Sequence, residues 1–179
     1  TKSDLVLRDI DCLKEISKKN NAIVKFTITT ASDELSKKIE PHVCPSSKRF
    51  AAVKKLSDNG IFVGIMINPV LPFITDSAEN IRSLVRLAHE NGAKFIHTYM
   101  SMTLRDNQRE YYYSKISPEI KKRYIETYKE SYLCYPLNAK MLYRIFMEEC
   151  EKYGILYKMD DIIKAYKKEV LDNTQLSLF

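Results

Sequence analysis

Tryptophan is absent, glycine occurs only four times, and no apolar run approaches the ~20 residues that a membrane-crossing helix requires. So few glycines leave no phosphate-gripping Gly-rich loop, which excludes the nucleotide chemistry built on that device. The three histidines, His42, His89 and His97, form no H-x-x-x-H pair. The four cysteines are separated by 32, 90 and 16 residues, which suits neither zinc nor a cluster. Ordinary cysteine usage, with no secretory pattern in view, leads to the expectation of a cytoplasmic protein with no membrane partner. Intrinsic disorder is excluded too, because 45% of the residues are hydrophobic and the excess charge is only +6.

What is present suffices for one core. At 179 residues, roughly two-thirds of the unfolded surface can be buried. Eleven of the twelve tyrosines lie after residue 108, which divides the chain into 1–104 and 105–179. No Gly/Ser/Pro linker separates the two parts, so they are expected to share a core. The opening Thr1-Lys2-Ser3 reads as the middle of a longer chain.

The first part repeats a helix, a turn pair and a buried strand. Ser3 caps a helix with Leu5, Leu13 and Ile16 on its apolar stripe, and Asn20-Asn21 ends it. The run 22–29 (AIVKFTIT) is β-branched and reads as a strand. Ser46 or Ser47 opens a helix carrying Phe50, Val53 and Leu56. Asn59-Gly60 stops that helix, glycine suiting the left-handed position. The strand 61–68 (IFVGIMIN) follows. Asp76-Ser77-Ala78-Glu79 begins a helix through Ile81, Leu84, Val85 and Ala88, which Asn91-Gly92 ends before the strand 94–99 (KFIHTY). Near-continuous apolar strands alternating with helices predict an α/β protein with a parallel sheet covered on at least one face. The second part reads as helices at 117–131, at 138–153 (Met141, Leu142, Ile145, Phe146 and Cys150 on one stripe) and at 159–171, with a frayed tail at 172–179.

In parallel α/β folds the reactive groups gather at the carboxyl ends of the strands. Here those positions are Thr27, Thr29 and Thr30; Met66, Asn68 and Pro69; and His97, Thr98, Tyr99 and Ser101, with Lys2 and Ser3 added from the start of the chain. Hydroxyls, amides and one amine, with few carboxylates, suit binding of a polar organic ligand better than hydrolysis. Four groups carry weaker expectations. Cys12 and Cys150 read as core residues, while Cys44 and Cys134 fall near loops. His97 reads as a satisfied packing histidine. Lys25, inside a strand, is either a buried Schiff-base amine or a snorkelling side chain. The stretch Arg105–Lys129 interleaves cations with Tyr111, Tyr112, Tyr113, Tyr124 and Tyr128. It is read as a solvated helix face with the tyrosines packed beneath, a nucleic-acid surface being the alternative.

Several strings in order resemble a known family. TKSDLVLRDIDCL (1–13), FTITT (26–30), IEPHVCPSSKRFAAVKKLSDNGIFVGIMINPVLPF (39–73) and NGAKFI (91–96) are similar to the later half of a radical S-adenosylmethionine enzyme. The match is to the spore photoproduct lyase-like group, also described as DNA repair photolyase-like. The resemblance covers residues 1 to about 110. It implies a partial (β/α) barrel, with 1–104 as its C-terminal half and 105–179 as a helical extension. It also implies a 4Fe-4S cluster that cleaves S-adenosylmethionine to a 5′-deoxyadenosyl radical, and a lyase or DNA-repair type of reaction in the full-length parent. The family's CxxxCxxC motif is absent from this sequence. Cluster ligands are usually thiolates, so this chain alone is expected neither to hold the cluster nor to be active. On this resemblance Lys2 and Arg49 hold the cofactor's carboxylate, Thr27 and Thr29 lie near its ribose and methionyl end, Met66, Asn68 and Pro69 flank adenine, and Ser3 is counted with them as a cofactor-binding residue. An exposed sheet edge leads to the expectation of pairing with a partner, including a homodimer.

Overall fold

A computed structural model of the chain describes residues 1–167. The end of the helix expected at 159–171 and the tail at 172–179 lie outside the described residues.

The chain enters as a 3-10 turn, Asp4–Asp9, with Ser3 Oγ accepting from the Leu5 amide, and continues as α1 (Ile10–Lys19). Of the stripe expected at Leu5, Leu13 and Ile16, Leu13 packs against the main core and the other two do not. Leu5 and Ile16 are 63% and 48% exposed, and Ile10 is the buried residue instead. Three residues per turn over the first stretch shifts the phase of everything that follows, so α-helical spacing counted from Ser3 points the wrong way. Cys12, expected in the core, is exposed on α1 for the same reason.

After β1 (Ile23–Thr27) comes a short helix that sequence reading did not foresee, α2 (Asp33–Ile39), capped by Ser32. Next, α3 (Ser46–Asp58) buries Phe50, Val53 and Leu56 as their spacing predicts. It hands over to β2 (Phe62–Ile67) through Gly60, whose φ of 74° only glycine adopts without strain. Ser77 Oγ accepts from the Asn80 amide to start α4 (Ala78–Glu90), and Ile81, Leu84, Val85 and Ala88 face inward. The strand β3 (Phe95–Thr98) completes a three-stranded parallel sheet in the order β1-β2-β3.

Pairing sets the rows of side chains. Lys25, Gly64 and Phe95 lie abreast, as do Thr27, Met66 and His97. Because side chains alternate, one face carries Val24, Phe26, Ile28, Val63, Ile65, Ile67 and Ile96, all buried in the main core with α3 and α4. The opposite face is open at β1, where Ile23 and Lys25 are exposed, and is shielded further along by Phe62, Phe95 and Tyr166, whose rings pack together. Each outer edge makes a short backbone contact. The Thr1 amino group donates to Lys25 O (2.9 Å) and the Thr27 amide to Thr1 O (3.0 Å), the bracketing pattern of a parallel neighbour. On the far side, Leu156 bridges in the same way between Lys94 and Ile96.

The remaining elements are β4 (Met102–Thr103), α5 (Asp106–Lys115), α6 (Pro118–Tyr128), β5 (Leu133–Cys134), α7 (Ala139–Tyr153) and α8 (Met159–Tyr166). Their apolar residues fall in two clusters. Met102, Leu104, Tyr124 and Cys134 form a second apolar cluster with Leu71 and Phe73, whereas Leu142, Ile145, Phe146 and Cys150 of α7 join the main core. Met141, expected on that stripe, is 41% exposed, because it lies one residue out of phase with Leu142. The protein is mixed α/β.

Candidate functional site

The carboxyl ends of the strands are held by side chains that reach across between elements. Thr29 and Thr30 are buried, and their carbonyls accept from Asn80 Nδ2 (3.0 Å) and Ser46 Oγ (2.6 Å). Asn80 also donates to Thr75 O and accepts from the Ala31 amide, tying the loop after β1 to the start of α4. After β2, Asn68 Oδ1 accepts from the Tyr99 amide (3.1 Å), and Val70 donates to Ser101 O. The Asn68–Pro69 peptide is cis. Met66 and Asn68 are half-buried there, and Pro69 is exposed.

At the β1 end a carboxylate joins two of the expected site residues. Arg49 of α3 is fully buried, its Nε donating to Cys44 O (2.7 Å), Nη1 to Thr27 O (2.8 Å) and Nη2 pairing with Glu40 Oε2 (2.7 Å). Lys2 Nζ holds the other oxygen of Glu40, and Cys44 Sγ donates to Lys2 O (3.1 Å). Lys2, Thr27 and Arg49 are thus brought together. Ser3 is spent on its cap, and Met66, Asn68 and Pro69 sit one strand away. Glu40 escaped the sequence reading, although it stands inside the matched string at 39–73; the signal available was a carboxylate between the cations Lys37 and Lys38 and the cations Lys48 and Arg49. Burial, then Lys2, Lys25 and Arg49, hold the Thr1 amino group below its ordinary pKa.

On the open face, Lys25 is exposed, so it is not a buried amine. His97 is not a satisfied packing residue either: its Nδ1 is buried and makes no hydrogen bond, while the ring meets Tyr99 edge-on at 4.7 Å. Burial, and then the Lys25 ammonium, hold its pKa below the usual histidine range, so the imidazole is neutral at pH 7. The tyrosine-rich stretch behaves as a packed face. Tyr112, Tyr113, Tyr124 and Tyr128 belong to the second cluster, with Tyr112 OH donating to Tyr124 OH, and only Tyr111 of the five is exposed.

Among the described residues, no group of three or more His, Cys, Asp or Glu side chains is placed to hold a metal ion. The cysteines are dispersed over α1, the α2–α3 loop, β5 and α7. Among those residues, no helix is long and apolar enough to cross a membrane.

Comparison with known proteins adds relatives of undefined role. The chain is 42% identical over 76 residues to the uncharacterized protein MJ0683 of Methanocaldococcus jannaschii, covering 42% of this chain and 28% of that protein. It is 26% identical over 145 residues to the uncharacterized protein Rv2578c of Mycobacterium tuberculosis, covering 79% of this chain and 42% of that protein. The uncharacterized protein ORF301 of Acidianus two-tailed virus is 32% identical over 72 residues, 40% of this chain and 23% of its own length. The chain therefore spans less than half the length of these curated relatives. No family model matches, and no solved structure matches.

Proposed function

We propose that this chain forms part of a radical S-adenosylmethionine enzyme related to the spore photoproduct lyase-like group, contributing one side of a partial (β/α) barrel and the pocket for the cofactor's methionyl end. The observation that carries the reading is the convergence of Lys2 and Arg49 on one carboxylate at the carboxyl end of a parallel strand. An α-amino acid group offers one cation and one anion. Glu40, aimed by Arg49, accepts the ammonium, and Lys2, 41% exposed, takes the carboxylate. Arg49 therefore acts on the ligand through Glu40, since it is fully buried and its guanidinium faces Cys44 O, Thr27 O and Glu40. Thr27 and Met66, abreast on the open face, add a hydroxyl and an apolar surface. The parallel pairing of Thr1 with β1 further supports a sheet that continues past β1.

Bound with its cluster, the cofactor supplies hydrogen abstraction. The described residues supply binding and orientation, and the cluster's ligands belong to a part of the enzyme other than these. The lyase or DNA-repair character of the whole enzyme is part of the proposal. The nucleic-acid alternative draws less support, because four of its five tyrosines are packed inside.

Isothermal titration with S-adenosylmethionine tests the reading. Saturable binding is expected, weakened about tenfold or more in Lys2→Met and Glu40→Gln, the loss of one charge-assisted contact. Absence of binding in a chain whose circular dichroism is native, or equal binding by both variants, overturns it.

A further inference from the structure

The open face of the sheet is layered. Toward the amino ends of the strands it is aromatic: Phe62 and Phe95 stack at 5.4 Å, and Tyr166 leans on Phe62. The Phe95 ring can lie flat over β2 only because Gly64 has no side chain, since a Cβ there would meet ring carbons at 2.6 Å. One row further toward the carboxyl ends the face turns polar, with Thr27, Met66 and His97 abreast on three strands. Lys25, two residues before Thr27, points from the same face. An aromatic layer beside a polar row is the usual build of a small-molecule site.

Two features of that row ask for a ligand. His97 Nδ1 is buried without a partner, a costly state for a polar atom unless something bonds to it. The charge that faces this imidazole is the Lys25 ammonium from β1, Tyr99 lying edge-on from its own strand end. The only carboxylate paired at this end of β1 among the described residues, Glu40, is already held by Lys2 and Arg49. The balance of charge over the row is positive.

We infer that Lys25, Thr27 and His97 form a binding subsite for an anionic group, phosphate or carboxylate, of a small organic ligand, the ammonium supplying charge and Nδ1 one hydrogen bond. The subsite borders the Lys2–Glu40–Arg49 cluster at Thr27, whose carbonyl accepts from Arg49, and its charged and imidazole groups, Lys25 and His97, lie outside that cluster. It rests on strand register and on the unpartnered imidazole, and stands whatever the neighbouring cluster binds.

The test is a nuclear magnetic resonance titration of the histidine rings with inorganic phosphate in one arm and acetate in the other. His97 is expected to respond selectively over His42 and His89. Its pKa should rise on binding, because an anion beside the ring favours the imidazolium. Lys25→Met should weaken the response about tenfold, and, with binding followed instead at the Thr27 and Met66 backbone amides, His97→Gln should weaken it less than His97→Phe, because an amide can still bond. The stronger arm identifies the anion. A His97 signal indifferent to both anions, three histidines that respond alike, or unchanged affinity in Lys25→Met would overturn the subsite. S-adenosylmethionine binding would be unaffected by that failure.

Discussion

Glu40 has two cationic partners in very different surroundings, and that difference sets what each is worth. Arg49 is fully buried and makes three contacts of 2.7–2.8 Å, to Cys44 O, Thr27 O and Glu40. Arg49→Met keeps an apolar stem in the cavity but leaves two buried carbonyls and a carboxylate oxygen without donors. Each such loss costs about 1–3 kcal/mol. Glu40 is 14% exposed and keeps Lys2, which offsets part of the loss. The expected cost is about 3–5 kcal/mol, that of breaking a buried pair. Lys2, 41% exposed, forms the other bond to the same carboxylate, and Lys2→Met should cost about 0–1 kcal/mol. Urea unfolding followed by circular dichroism reads both, as a shift in midpoint at constant slope. Against a total stability of about 5–15 kcal/mol, the first variant approaches unfolding and the second is near wild type. An Arg49→Met cost below about 1 kcal/mol, or equal costs for the two variants, would refute the reasoning from burial.

Three further outcomes are open to measurement. Gly64→Ala places a Cβ 2.4 Å from Phe95 O as well as against its ring, and should cost about 1–3 kcal/mol in the same unfolding assay, with no cost refuting the close approach. Asn80→Ala removes three cross-element hydrogen bonds and should cost about 2–4 kcal/mol while raising amide exchange in residues 28–31; unchanged exchange there would mean the clamp is idle. Burial pushes the Tyr112 hydroxyl and the Cys150 thiol up to about 12. The unfolded chain therefore ionises first, and stability that is complete below about pH 9 should fall as pH rises toward 12, with a flat alkaline profile contradicting their burial.

How much of this was legible in the sequence depends on the range of the interaction. Local punctuation was readable: Ser77 and Ser117 cap helices, Gly60 and Gly154 end them at positive φ, and the strand runs fall where β-branched residues cluster. The helix stripes of α3 and α4 followed from 3.6-residue spacing alone. The spacing argument failed at Leu5 and Ile16, because a 3-10 turn changes the period before the α-helix begins. It also missed α2, whose single capping serine starts a helix too short to show an apolar rhythm. The site was legible only in part. Strand ends identify Thr27, Met66 and His97 as neighbours, but pairing register is needed to place them in one row. Glu40 and Asn80 reach partners up to 38 and 51 residues away, and no local pattern marks such partners.

The most direct measurement of the cofactor pocket is amide chemical-shift mapping of the chain on addition of S-adenosylmethionine. Shifts are expected at residues 2–3, 27–29, 40–49 and 66–68, around the carboxylate that Lys2 and Arg49 share. Shifts confined to the opposite end of the sheet, in the ~270 Å³ cavity lined by Ser57, Phe62, Lys94 and Tyr166, or no shifts at all, would contradict it.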